Sequence, residues 1–109
     1  MTVDLTGQTL ANVDRDYTLR IYTREGWLIV VEGEVLVDDK DLAAALYGAI
    51  DKPITSFSIA DDGVLTLAAG DAHIRATPDP DYESWHVTGP GPGKQMVVCL
   101  PGGELAIWD

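Results

Sequence analysis

What most constrains this chain is its short-period alternation. Apolar and polar residues trade places over short runs, and Gly, Pro or Asp interrupts roughly every 6 to 12 residues. A period of two puts every second side chain on one side of an extended backbone, so each run buries one face and exposes the other. The chain therefore reads as many short strands joined by tight turns.

The clearest early strand is Tyr17 to Thr23, with Tyr17, Leu19 and Ile21 on one face and Thr18, Arg20 and Tyr22 on the other. Arg24-Glu25-Gly26 suits a hairpin loop. Trp27 to Glu32 is apolar on both faces, as in a central strand covered on both sides. Gly33 suits a bulge or bend, and Val35 and Val37 continue the alternation. Gln8 to Val13 reads as an edge strand. Beyond the middle of the chain, a meander is expected over Ile54–Ala60, Val64–Ala68, Ala72–Thr77 and Ser84–Thr88. A terminal hairpin of Gln95–Leu100 and Glu104–Trp108 follows, turning at Pro101-Gly102-Gly103.

One segment has the other periodicity. Leu42, Leu46 and Ile50 lie four apart, and Ala43 and Tyr47 widen the stripe. Asp38 or Asp39 can cap the start, Asp41 and Lys52 suit the two ends of the helix dipole, and Pro53 ends the helix. The expected fold is α+β and mostly β: a curved antiparallel sheet of about eight short strands in meanders and hairpins, packed on one helix over about residues 39–51. The 109 residues suit a single domain spanning 1–109, and 46% hydrophobic content suffices for one core.

Function classes are narrowed next. Seven Lys and Arg against 18 Asp and Glu give a net charge of −11, which repels phosphate backbones and anionic lipid and favours basic partners. No basic patch with interleaved aromatics is visible, so nucleic-acid binding is not expected. The longest apolar run, Trp27–Val31, is far below the roughly 18 residues that span a bilayer. Met1-Thr2-Val3-Asp4 has neither the basic nor the apolar part of a signal peptide, and Cys99 is the single cysteine. A cytoplasmic protein is expected.

No catalytic, cofactor or metal site is expected. Ser56, Ser58 and Ser84 sit in no nucleophile-elbow pattern, and Cys99 lies in an apolar strand where a thiol is inert. Gly89-Pro90-Gly91-Pro92-Gly93-Lys94 fails as a phosphate loop: its glycine spacing is short, Gln95 replaces the magnesium-binding hydroxyl, and a strand follows. One cysteine with His73 and His86 cannot complete a zinc site. What remains is a candidate partner-binding set of Asp79, Asp81, Tyr82, Glu83, Trp85 and His86, where carboxylates flank aromatics that favour protein interfaces.

The segments Asp61-Asp62-Gly63-x-Leu65, Tyr82-Glu83-x-Trp85, Gly89-Pro90, Val97-Val98-Cys99 and Pro101-Gly102-Gly103-Glu104-Leu105-Ala106-Ile107-Trp108 occur in that order, after Leu5-Thr6-Gly7-Gln8 near the start. Together they resemble a family of short acidic actinobacterial proteins of unknown function, and the Pro-Gly-Gly-Glu-Leu-Ala-x-Trp ending is the most specific piece. That resemblance implies no activity. By size, charge and general build the chain also looks similar to immunity proteins that neutralise bacterial toxins. The leading expectation is a non-catalytic domain that binds a basic protein. The alternatives are a small-ligand binder or subtle enzyme with a pocket between sheet and helix, using His86, Glu83 and His73, and a self-associating module, such as a homodimer through the terminal hairpin.

Overall fold

The alternation is realised as two sheets. A computed structural model describes residues 3–32, 39–91 and 95–108. Among them are β1 (Leu10–Arg15), β2 (Leu19–Thr23), β3 (Leu28–Val31), α1 (Lys40–Gly48), β4 (Ile54–Ile59), β5 (Leu65–Ala69), β6 (Ala72–Ala76), β7 (Trp85–Thr88), β8 (Met96–Cys99), a 3-10 turn at Pro101–Gly103, and β9 (Leu105–Trp108). Among the described residues the class is mostly β and antiparallel with one α-helix, as expected.

The nine described strands agree with the expected number, but they divide into two sheets rather than one. Six strands form one sheet in the order β1-β2-β3-β7-β8-β9, and β4-β5-β6 form a second. All pairings are antiparallel. The split follows from connection length. β3 is followed by α1 before the meander β4–β6 begins, and β7 then returns to pair with β3. Near the start of the chain the sheets meet: Thr9 bridges Pro53, and Gly7 N–H donates to Ile54 O at 2.8 Å.

The register sorts the faces. Leu19, Ile21, Ile29, Val31, Trp85, Val87, Val97 and Cys99 point inward from the large sheet. Phe57, Leu65, Leu67, Ile74 and Ala76 point inward from the small one. Helix α1 packs against β1 and β6 and adds Leu42, Ala43 and Leu46 to the core. Each buried Leu or Ile removes enough apolar surface to contribute about 1.5–3 kcal/mol.

Two local expectations are corrected. Tyr17 is 92% exposed and precedes β2, because the chain turns at Asp16–Thr18, where Asp16 N–H donates to Thr18 O. The helix is shorter than 39–51. Asp39 caps it through Leu42 N–H, and it ends at Gly48, with Ala49 as C-cap. Asp51 then takes a positive φ of 74° and donates its N–H to Leu10 O, which turns the chain into β4. Within the helix, Leu42, Ala43 and Leu46 are the buried residues, and Tyr47 is exposed rather than widening the buried stripe. The expected bulge at Gly33 and continuation through Val35 and Val37 lie outside the described residues.

Candidate functional site

Three connections converge at one end of the molecule: the β4–β5 turn at Asp61–Gly63, the β6–β7 loop at Pro78–Glu83, and the 3-10 turn before β9. Their backbones lock together. Trp85 Nε1 donates to Gly63 O at 2.8 Å, and the Cys99 thiol donates to the same oxygen at 3.5 Å. Gly102 N–H donates to Asp79 O at 2.8 Å. Gly63 and Gly103 are so close that a Cβ on Gly63 would stand 2.7 Å from Gly103 O and 3.1 Å from Cys99 Sγ. A Cβ on Gly103 would strike Asp62 O and lie 3.1 Å from Pro78 Cγ. Both glycines hold positive φ, +91° and +99°, a region that L side chains enter at a cost.

The exterior of this knot is acidic. Asp61, Asp62, Asp81, Glu83 and Glu104 are exposed, and Asp79 is half-buried. Asp79 organises its own loop: Oδ1 accepts from Asp81 N–H at 2.8 Å and from Tyr82 N–H at 3.1 Å. A side chain that replaces water at two consecutive amides fixes a turn. Tyr82 is thereby held 73% exposed among the carboxylates. Among the described residues no group of three or more His, Cys, Asp or Glu is placed to hold a metal ion.

The candidate set is thus partly assembled. Asp79, Asp81, Tyr82 and Glu83 share one loop, as expected. Trp85 does not belong to the surface: it is fully buried, since β7 is a central strand and its indole is anchored on Gly63. His86 alternates with Trp85 and so lies half-buried on the outer face of the large sheet, between Val30 and Val98. His73 lies on the outer face of the small sheet, opposite Ala68. The fold does not bring His73, His86 and Glu83 together.

Asp61, Asp62 and Glu104 were missed as site residues. Asp-Asp-Gly is a turn signal whatever else it does, and only the fold sets that turn beside Asp79. These loops come from the segments that carried the family resemblance, and the whole chain matches one family model. The chain belongs to a family of unknown function (DUF6188), matched over residues 1–109. No curated protein and no solved structure matches it. Membership in this family brings no activity with it, so the site must be read from its own chemistry.

A cavity of about 360 Å³ adjoins the acidic end. It lies between the edge strands β4 and β9, with Phe57, Val97, Leu105 and Ile107 as apolar lining and Asp4 and Asp61 as carboxylates. Asp4 stays ionised to lower pH than an ordinary aspartate, because hydrogen bonds from Thr6, side chain first and backbone second, favour its charged form. A second cavity, of about 480 Å³, is lined by Tyr22, Trp27, Leu28, Thr88 and Pro90. Among the described residues no Asp or Glu is part of its lining.

Proposed function

We propose that the chain is a non-catalytic protein-binding domain whose acidic end docks a basic surface on another protein, in the manner of an immunity or inhibitor protein that neutralises a toxin. One observation carries this reading. Three separate connections, locked to one another through Gly63, Gly102 and Gly103, carry the carboxylates of Asp61, Asp62, Asp79, Asp81, Glu83 and Glu104, and the Asp79 loop among them holds the exposed ring of Tyr82. Preorganised charge accelerates encounter with a basic partner, and a rigid tyrosine adds contact area at small entropic cost. No bound metal or cofactor is needed for such a role.

A cytoplasmic location belongs to the same proposal. It rests on the single buried cysteine, Cys99. Among the described residues no helix is long and apolar enough to cross a membrane.

The test is affinity capture from the native host lysate at low and high salt, with the protein and with a variant carrying Asp81→Asn, Tyr82→Ala and Glu83→Gln. A basic protein retained at low salt, reduced at high salt and lost with the variant supports the reading. Association that is indifferent to ionic strength removes its electrostatic part. No retained partner at either salt overturns it.

A further inference from the structure

Every sheet edge exposes a row of backbone N–H and C=O groups that another strand can pair with, and proteins usually blunt such edges with charge, proline or a bulge. Among the described residues the two sheets have four edges, and three of them are blunted. β1 carries Asn12, Asp14 and Arg15 and a bulge between Leu10 and Asn12. β4 has a bulge between Ile54 and Ser56. β6 carries His73 and Arg75 and lies against α1. The fourth, β9, reads Leu-Ala-Ile-Trp, pairs with β8 without a bulge, and has no described partner on its other side. Its Ile107 and Trp108 are 47% and 52% exposed.

The cavity between β9 and β4 lies on the inward side of this same edge. A strand added beside β9, about 4.8 Å further out, would run along its mouth. Alternate side chains of that strand would point to opposite faces. One set would enter the cavity against Phe57, Val97 and Ile107, and the other would lie beside Ala106 and Trp108 on the outer face.

We propose that β9 and this cavity form a docking site for an extended segment of a partner protein, which adds as a strand and carries an apolar residue flanked at two positions on either side by Lys or Arg. Backbone pairing supplies affinity and the cavity supplies selectivity, the division of labour common to strand-addition sites. Charge decides the occupant. Asp4 and Asp61 line the cavity, Glu104 precedes β9, and the chain carries −11 overall, so a basic segment is attracted where a second acidic copy is repelled. The inference deepens the proposed function and rests on it, since Asp61 belongs to both the cavity and the acidic end.

The probe is a synthetic peptide of sequence Thr-Lys-Thr-Val-Thr-Lys-Thr, with the same peptide bearing Glu for Lys as control, titrated into ¹⁵N-labelled protein. Shifts at the amides of Leu105–Trp108 and at Asp4, for the Lys peptide alone, are expected. Ile107→Lys, which puts a charge into the edge strand, and Asp4→Asn should each weaken the peptide at least tenfold and about threefold, respectively, with the remaining spectrum unchanged. Lys-peptide shifts confined to Asp79–Glu83 would overturn strand addition and leave the acidic-end reading standing. No binding, or equal binding of both peptides, would overturn strand addition as well. Concentration-dependent shifts in β9 without peptide would assign the edge to a second copy instead. The lysate capture with the Asp81, Tyr82 and Glu83 variant fails or succeeds independently of all these outcomes.

Discussion

The indole N–H of Trp85 and the carbonyl of Gly63 are joined at 2.8 Å inside the protein, 22 positions apart in sequence. That bond ties a central strand of the large sheet to a turn of the small one. It also sets the height of the acidic turn relative to the Asp79 loop. Trp85→Phe should remove the indole donor, leave the buried Gly63 carbonyl with only the weak Cys99 thiol donor, and open a small void. A loss of about 2–4 kcal/mol is expected, read by urea unfolding. Trp85→Phe should also make Cys99 react faster with a thiol reagent in the folded protein, because Cys99 shares the Gly63 carbonyl.

The glycine pair beside that bond makes a sharper comparison. Gly103→Ala meets both a positive φ and the Asp62 carbonyl, whereas Gly102→Ala meets a positive φ of +83° with open space around it. Gly102→Ala should cost about 1–2 kcal/mol from backbone strain alone. Gly103→Ala should cost distinctly more, about 3 kcal/mol or above, since backbone must move as well. Parallel denaturation curves check the ordering.

Asp79 holds the Tyr82 loop through two amides. Asp79→Ala should cost about 1 kcal/mol in global stability, in line with the loss of a local side-chain cap. Hydrogen exchange at the Asp81 and Tyr82 amides should quicken well beyond that of the β7 amides. Asp81→Asn with Glu83→Gln should leave stability within about 0.5 kcal/mol, because neither carboxylate is buried.

At the helix exit, Asp51 holds φ at 74° and pairs with Arg24, both side chains being more than half exposed. Arg24→Ala should therefore change stability by no more than about 0.5 kcal/mol. Asp51→Val, by contrast, forces a β-branched residue into the left-handed region and should cost about 1–2 kcal/mol or more. Thermal unfolding of the two variants separates the backbone effect from the ion pair.

Asp4 gives the pH dependence its direction. Its carboxyl titrates below the ordinary aspartate range in the folded protein, so the folded state binds that proton less readily than the unfolded one. The stabilisation it contributes is present above the ordinary aspartate pKa and is lost as pH falls through the lowered folded value. Thr6→Ala should move the Asp4 midpoint back up toward about 3.9. Carboxyl chemical shifts followed by NMR read it directly.

Much of the fold was legible in the residues. Period-two runs fixed most strands to within a residue or two, since inward Leu, Ile and Val must alternate with outward polar groups. Asp39 and the Leu42–Leu46 spacing fixed the helix. Asp79, Asp81, Tyr82 and Glu83 fell together because they are neighbours in the chain. What the sequence by itself determined is therefore local: which face of each strand is apolar, where turns must come, and how acidic the surface is. Partition into two sheets was decided by tertiary structure, because any inward-facing strand can pair with any other until connection lengths and the shared core choose. The same holds for Trp85. Its size suits a core or an interface equally, and only the Gly63 carbonyl waiting beneath β7 makes it core. The meeting of Asp61 and Glu104 with the Asp79 loop, and the cavity under the unblunted edge of β9, likewise depend on contacts between segments far apart in the chain, which periodicity cannot encode.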